Sequence, residues 1–340
     1  MKQINRRSNI PVLMLHNIDP AWEPAEKTAA IDAVEELNTE LRNEGHPVID
    51  VPVFHDALHQ ILKPYSPKDY IVFNWCEELP GKLRSDKIVA ETLEKLNFIY
   101  TGSSPEVLEL SWNKPATKAL LDKHGIPTPF WKVIDTKEAD SWDRFPSIVK
   151  PAYEHCSVGI TADAVVMNRQ ALKKRISFVK KNFDQPVIVE DFIDGREFHV
   201  TLWGNGTVNA LPPAEMDFAA FENIKDRLCT FDSKFTPGSQ HYEKIELRIP
   251  ASLDEKQTAY LNQTAMNAYR IMGCRDYARI DLRLQNKRYY VLDVNPNADF
   301  SPDTSLVYAA QAVGLSYGAM ASWIVNLAAQ RHSVFKKLYD

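Results

Sequence analysis

The chain has 340 residues, of which 44% are hydrophobic and 25% charged, and its net charge is −5. This composition is ordinary for a globular protein of two or three subdomains. It excludes a basic nucleic-acid binder, and no apolar run is long enough to cross a membrane. Four cysteines without a C-x-x-C pair or zinc-ligand spacing indicate a reducing, cytoplasmic location.

Strands and helices alternate in the first third of the chain, which predicts a parallel, doubly wound sheet. The predicted strands cover residues 10–15, 48–53, 70–73 and 98–100, and the helices cover 26–43 and 85–96. Such sheets bind ligands at the carboxyl ends of their strands. We therefore expect ligand contacts in loops 16–26 and 74–78.

The rest of the chain is α+β, because long strands replace the regular alternation. Helices are predicted over 113–124, 168–181, 254–272 and 304–328. Strands are predicted over 147–150, 187–190, 197–203, 210–211 and 244–249.

Two strands joined by a turn at residues 285–287 are predicted in the stretch YARIDLRLQNKRYYVLDVN, which begins at Tyr277. Alternation at period 2 places Arg279 and Asp281 on one face, together with Asp293 and Asn295. Converging carboxylate and amide oxygens suit Mg²⁺. The alternative is a hairpin with one solvated charged face.

Two lysines occupy positions that suit phosphate. Lys150 ends a strand beside the polar loop 152–159, and Lys114 opens a helix, whose amino end attracts anions. Taken alone, each lysine is better explained by a solvated surface position.

The segment 189–198 predicts a strand, a turn at Gly195 and a second strand. Backbone groups near Asp191 and Ile193 are then free for an adenine edge, with Glu190 or Glu197 accepting from an amino or hydroxyl group. The alternative is an ordinary hairpin turn.

With these signals in this order, the chain resembles the ATP-grasp superfamily, and within it the D-alanine–D-alanine ligases. The resemblance covers residues 73–325, while the first 70 residues match only in layout. It implies an ATP-grasp fold behind a small doubly wound domain, with boundaries at 1–110, 111–190 and 191–340. The matching segments are FIYTGSSPEVLELSWNKPATKALLDKHGIPTP, IVKPAYEHCSVGI, VIVEDFIDGREFHV, LPPAEMDF and GCRDYARIDLRLQNKRYYVLDVNPN.

The resemblance implies an ATP- and Mg²⁺-dependent carboxylate–amine ligase that forms an amide through an acyl phosphate. Its partners are a small carboxylate and a small amine, and a homodimer is one oligomeric state left open. Two Mg²⁺ ions are implied, for which Mn²⁺ can substitute. By resemblance the nucleotide ligands are Lys114, Lys150, Glu190, Asp191, Ile193 and Glu197. The implied metal ligands are Asp281, Asp293 and Asn295, and the implied catalytic residues are Arg279, Glu26, Ser157 and Lys234.

Departures from the family pattern concern the substrate pockets. The loop after the first strand has no glycine, so Glu26, with Glu23 as competitor, is expected to hold the first substrate's ammonium. Cys156 stands where the family has serine, and Phe235, after Lys234, stands where it has tyrosine. Loops 152–159 and 231–238 are the expected lids. The alternatives are a nucleotide-binding protein without ligase activity and a ligase for a larger carboxylate.

Overall fold

The structure, a computed structural model, describes residues 7–339. Its first sheet has four parallel strands in the order β2-β1-β3-β4, as the alternation predicted. The strands are β1 (Val12–Asn17), β2 (Val48–Val53), β3 (Ile71–Trp75) and β4 (Ile99–Tyr100), and the connecting helices are α1 (Pro24–Asn43), α2 (Leu58–Leu62) and α3 (Asp86–Lys95). The first strand begins two residues later than predicted.

A second sheet follows two short helices, α4 (Pro105–Trp112) and α5 (Lys114–Lys123). Asn113 begins α5 because its side-chain oxygen accepts a hydrogen bond from the Ala116 amide at 3.0 Å. The sheet is antiparallel, in the order β5-β8-β6-β7, and α6 (Arg169–Phe183) packs on it. Its strands are β5 (Trp131–Val133), β6 (Ser147–Pro151), β7 (Val165–Val166) and β8 (Val187–Asp191).

The third sheet is antiparallel in the order β12-β11-β9-β13-β14, with β10 also paired to β9. Its strands are β9 (Arg196–Trp203), β10 (Asn209–Ala210), β11 (Ala214–Asp217), β12 (Glu246–Arg248), β13 (Tyr277–Gln285) and β14 (Arg288–Pro296). The accompanying helices are α7 (Asp232–Phe235), α8 (Gln240–Lys244), α9 (Glu255–Met272), α10 (Ser305–Gln311) and α11 (Tyr317–Ala329). Within residues 7–339, no helix is long and apolar enough to span a membrane.

Two predicted elements were wrong. The strand expected over 244–249 shortens to β12, because residues 240–244 form α8, whose first turn is capped by Ser239. The helix expected over 304–328 is two helices. Gly314 adopts φ +80°, a left-handed conformation that ends α10, and Ser316 caps the start of α11.

Helix α11 joins the first sheet to the third. Every residue from Tyr317 to Ala329 is buried, and one apolar cluster unites Met14 and Phe73 of the first sheet with Trp203 of the third. Trp203 stacks on Trp323 of α11 at 4.6 Å between ring centroids. This shared core fixes the carboxyl end of β3 relative to the third sheet.

Candidate active site

A cavity of about 1100 Å³ opens where the three sheets meet. Pockets of this size hold a nucleotide or drug-sized ligand with room for further groups. Twelve of the thirteen predicted site residues line it. They are Lys114, Lys150, Ser157, Glu190, Asp191, Ile193, Glu197, Lys234, Arg279, Asp281, Asp293 and Asn295.

The β13–β14 hairpin places two carboxylates directly opposite each other. Its turn residues Asn286 and Lys287 both have positive φ, the geometry of a tight two-residue hairpin turn. The register pairs Asp281 with Asp293 and Arg279 with Asn295. A bulge follows Asp281, and bulges of this kind re-aim side chains near active sites. The predicted convergence of the two carboxylates and Asn295 is therefore present.

Positive side chains hold both carboxylates. Arg279 donates to Asp281 from Nε at 2.7 Å and from Nη2 at 3.0 Å, and Asn295 Nδ2 donates to Asp281 Oδ2 at 3.0 Å. Lys114 Nζ donates to Asp293 Oδ2 at 2.9 Å. Burial by itself would raise the pKa of Asp293, but the Lys114 ammonium outweighs it and holds that pKa well below its usual value. The pKa of Asp281 is likewise lowered, because the Arg279 guanidinium outweighs the effect of burial, so both aspartates are anionic.

Glu190, at the end of β8, is shared by two lysines. Lys118 Nζ lies 3.1 Å and Lys150 Nζ 3.3 Å from the same oxygen, Glu190 Oε2. Burial would raise the pKa of Glu190, but the two ammonium groups lower it. The other oxygen, Oε1, is buried and has no partner within residues 7–339. Because buried polar atoms are normally hydrogen-bonded, this oxygen is available to accept a hydrogen bond from a ligand.

The turn after β8 brings Glu197 next to Arg283. Arg283 donates from Nε to Glu197 Oε2 at 2.7 Å and from Nη1 to the Ile193 carbonyl at 2.8 Å. A Cβ on Gly195 would lie 1.9 Å from the Leu284 carbonyl, so only glycine fits this turn.

The expectation of free backbone groups here was wrong for three of them. The Asp191 amide donates to the Phe130 carbonyl at 2.9 Å and the Phe192 amide to the Pro146 carbonyl at 3.0 Å. The Ile193 carbonyl is already bonded to Arg283, and the Asp191 carboxylate is engaged by Arg144 Nε at 2.7 Å.

Two loops close over the cavity and touch each other. Cys156 and Ser157, in the loop after β6, have φ of 53° and 59°, and Ser157 Oγ donates to the Cys229 carbonyl of the facing segment at 3.0 Å. That segment continues into α7, which presents Lys234 and the half-exposed Phe235 to the cavity. The first predicted lid, 152–159, thus contacts Cys229, two residues before the second predicted lid at 231–238.

Glu26 is not brought into the cavity, contrary to expectation. It lies in the first turn of α1, where its Oε2 accepts from the Glu23 amide at 2.9 Å and completes a capping box. Glu23, the competitor, begins the same helix. Neither lines the cavity. Capping the exposed helix end explains the sequence pattern that suggested a substrate ligand.

A different carboxylate, Glu77, faces the cavity from the loop after β3. Within residues 7–339 no group donates to its carboxylate. Its side chain is exposed to the solvent of the cavity. Its pKa is nevertheless raised, to about 7, by partial desolvation inside the cleft and by the nearby carboxylates of Asp299, Glu78 and Asp86. Crowded anions of this kind favour a cation between them.

Sequence reasoning missed Lys118, Glu77 and the ion pair of Arg283. Lys118 follows Lys114 by one helical turn, so the i, i+4 spacing could have indicated that both reach the same site. Glu77 lies in loop 74–78, where ligand contacts were expected and which lines the cavity, but nothing in the sequence singled out this carboxylate as a substrate ligand.

Comparison with known proteins agrees with this geometry. The family model described as D-ala D-ala ligase C-terminus matches residues 120–326, more than half of the chain. An uncharacterized protein of Sinorhizobium fredii is 32% identical over 79% of this chain and 77% of its own length. The D-alanine–D-alanine ligase of Desulforudis audaxviator is 28% identical over 90% of this chain and 96% of its own length.

A solved structure supports the fold. The D-alanine–D-alanine ligase from Bacillus anthracis complexed with ATP matches with a TM-score of 0.72 at 21% identity, over 97% of this chain and 99% of that chain. The ATP-grasp fold predicted by resemblance is confirmed.

Proposed function

Because the chain belongs to the D-alanine–D-alanine ligase family, and is therefore an ATP-dependent, ADP-forming carboxylate–amine ligase, we propose that it joins two small substrates in a pocket altered from the one that uses D-alanine. The observation that carries this proposal is that a different carboxylate from the expected one faces the cavity. Glu26 caps a helix outside the cavity, whereas the unpartnered Glu77 faces into it. The residues proposed to contact the nucleotide and the metal ions, by contrast, all line this cavity.

ATP is proposed to lie between the second and third sheets. Lys114 and Lys150 contact phosphate, and Glu190 Oε1, the buried acceptor without a partner, receives the adenine amino group. The Asp191–Ile193 backbone meets the adenine edge, with the Ile193 amide rather than its bonded carbonyl available. Glu197 accepts from the ribose. Lys118 keeps Glu190 ionised when Lys150 turns to phosphate.

Asp281, Asp293 and Asn295 fit the two Mg²⁺ ions that the family implies. The register places these side chains together on the paired strands, and hard oxygen ligands of this number suit Mg²⁺ with phosphate and water completing the shell. Bound there, Mg²⁺ would neutralise charge on the phosphate oxygens. Lys114, which now pairs with Asp293, would then be released to phosphate.

The reaction proposed is attack of one substrate's carboxylate on the γ-phosphate, followed by attack of the second substrate's amine on the acyl phosphate. Phosphate leaves and an amide remains. Arg279 donates to the tetrahedral oxyanion formed in the second step, and Lys234 adds positive charge from the lid. The contact of Ser157 with the facing loop excludes water, which would hydrolyse the acyl phosphate.

Glu77 is proposed to receive a cationic amine of a substrate, the role that the resemblance gave to Glu26. An ammonium placed there would relieve the repulsion from Asp299 and Glu78. Cys156 and Phe235 replace the hydroxyl groups that resemblance would place around the first substrate. The side chains around the substrate amine therefore differ from those of the family pattern, and we expect the preferred substrates to differ accordingly.

The test is phosphate release from ATP across a panel of D- and L-amino acids, hydroxy acids and amines, with products identified by mass spectrometry. We expect an amide product with one ADP per bond, and little D-alanyl-D-alanine. Efficient formation of that dipeptide would contradict the altered pocket. Nucleotide binding without any ATP-dependent product would instead favour a binding protein without ligase activity.

A further inference from the structure

Three side chains in the cavity form a cluster to which the proposed reaction assigns no joint role. Glu197, His199 and Cys229 each offer one metal-ligand atom, and these atoms lie within 4.8 Å of one another. Glu197 and His199 project from β9, and Cys229 reaches them from the segment just before the lid at 231–238. We propose that this cluster binds a thiophilic divalent cation of the Zn²⁺ class, and that the bound ion inhibits the enzyme by competing with ATP.

The two β9 side chains are already oriented for a shared ion. Glu197 uses Oε2 for Arg283 at 2.7 Å, and His199 uses Nδ1 for Ser305 Oγ at 3.1 Å. Their remaining atoms, Glu197 Oε1 and His199 Nε2, face each other at 3.7 Å. Outer partners that fix the unused atom of each ligand are typical of protein metal sites.

The ligand chemistry selects the kind of ion. Thiolate, imidazole and carboxylate together suit Zn²⁺ or Cd²⁺, whereas Mg²⁺ prefers oxygen alone. On binding, the ion replaces the proton of the Cys229 thiol, which passes to solvent. The thiolate and the Glu197 carboxylate then bring two negative charges to the ion, while Arg283 stays paired with Glu197 Oε2. Three protein ligands leave the fourth position open to the cavity.

The location of the cluster beside the proposed ATP and Mg²⁺ groups explains why a bound ion would compete with ATP. His199 Nε2 lies 3.8 Å from Asp281 Oδ1, so the cluster adjoins the proposed Mg²⁺ ligands without sharing their oxygens. An ion on Glu197 would occupy the acceptor assigned to the ribose. Competition with ATP thus rests on the proposed function, whereas the metal site itself does not.

The first experiment is a Cd²⁺ titration of the nucleotide-free protein in a non-thiol reductant, followed by the ultraviolet thiolate-to-cadmium charge-transfer band. We expect one Cd²⁺ per chain. Cys229→Ala should lose the band, and the matched control Cys156→Ala, which removes a thiol of the same cavity outside the cluster, should keep it. Far-ultraviolet circular dichroism checks that both variants are folded.

A band that survives in folded Cys229→Ala, or disappears in Cys156→Ala, would overturn the site. His199→Gln provides a second test that leaves every thiol in place. Loss of the imidazole ligand should weaken Cd²⁺ binding by about tenfold or more, and unchanged affinity would exclude His199 as a ligand.

The second experiment separates the two parts of the proposal. Saturating ATP should abolish the Cd²⁺ band, and Zn²⁺ inhibition of phosphate release should be competitive with ATP. Cys229→Ala should raise the Zn²⁺ inhibition constant by about tenfold or more. A band that persists under saturating ATP would keep the metal site and overturn the competition. A protein that binds Cd²⁺ but forms no amide product would overturn the ligase assignment alone.

Discussion

Lys118 Nζ lies 3.1 Å from Glu190 Oε2, and the two side chains are only 2% and 1% exposed. Lys118 Nζ also donates to Thr128 Oγ1 at 2.8 Å, and Thr128 in turn donates to the Val291 carbonyl. This chain of bonds fixes the lysine from both sides. It therefore directs the unpartnered oxygen of Glu190 into the cavity.

Lys118→Met should weaken ATP recognition at the base. With Lys118 gone, Lys150 becomes the sole partner of Glu190 and is drawn away from phosphate. We expect the KM for ATP to rise about ten- to hundredfold, the range of one hydrogen bond to a charged group. Stability should fall by up to about 3–5 kcal/mol, as for a broken buried pair.

The specific readout of Lys118→Met is the preference for ATP over purine riboside triphosphate, which lacks the 6-amino group. That preference should shrink in Lys118→Met and remain in Lys123→Met, an exposed lysine of the same helix. An unchanged preference with lowered stability would show that Lys118 only supports the fold.

Asp281→Asn and Asp293→Asn should each abolish turnover while the chain stays folded. Each removes charge from the proposed Mg²⁺ site, and the loss of transition-state stabilisation is several kcal/mol. The measurement is phosphate release across a Mg²⁺ series. Glu246→Gln, on the exposed far edge of the same sheet, should behave as wild type. Near-normal rates at saturating Mg²⁺ in either aspartate variant would refute the metal assignment.

Glu77 should make substrate binding depend on pH. Its pKa of about 7 means that the carboxylate is protonated, and attracts a cation less, as the pH falls through 7. We expect the KM of the amine-bearing substrate to rise on acidification. Glu77→Gln should raise that KM and flatten the profile. Glu26→Gln, which alters only the helix cap, should leave the profile as in wild type, and the reverse result would restore Glu26 as the substrate ligand.

The same pKa shift has a consequence for stability. The raised pKa means that between pH 4.5, the ordinary value, and about 7 the folded chain keeps a proton that the unfolded chain has lost. Stability should therefore fall as the pH rises through this window, by a small amount because Glu77 is exposed and solvent screens its repulsion. Glu77→Gln should be more stable than wild type at pH 8, as measured by thermal unfolding, and a lower stability there would contradict the crowding of carboxylates.

Phe235→Tyr combined with Cys156→Ser should change substrate preference more than ATP affinity. Both side chains face the cavity from the lids, and a restored hydroxyl pair could orient a zwitterionic amino acid. A hydrogen bond to a charged group contributes ~1.5–3 kcal/mol, so selectivity should shift ten- to hundredfold. The measurement is kcat/KM for several amino acids. An unchanged ranking of substrates would show that these lids do not contact the substrate.

Much of the fold was predictable because its signals are local. The βα alternation of the first third gave the parallel sheet, and the alternating stretch from Tyr277 gave the β13–β14 hairpin. Helix α10 was merged with α11 because the apolar pattern continues across Gly314, whose positive φ, together with the Ser316 cap, makes the break.

The sequence by itself determined that Asp281, Asp293 and Asn295 converge, since a short hairpin turn fixes the register of two adjacent strands and period 2 assigns their faces. Tertiary structure alone decided which distant groups meet. It paired Lys118 with Glu190, set Arg283 against Glu197, and placed Glu77 rather than Glu26 in the cavity. The physical reason is that these contacts depend on how α5, β8 and β9 pack and on where α11 fixes the first sheet, which no local spacing records.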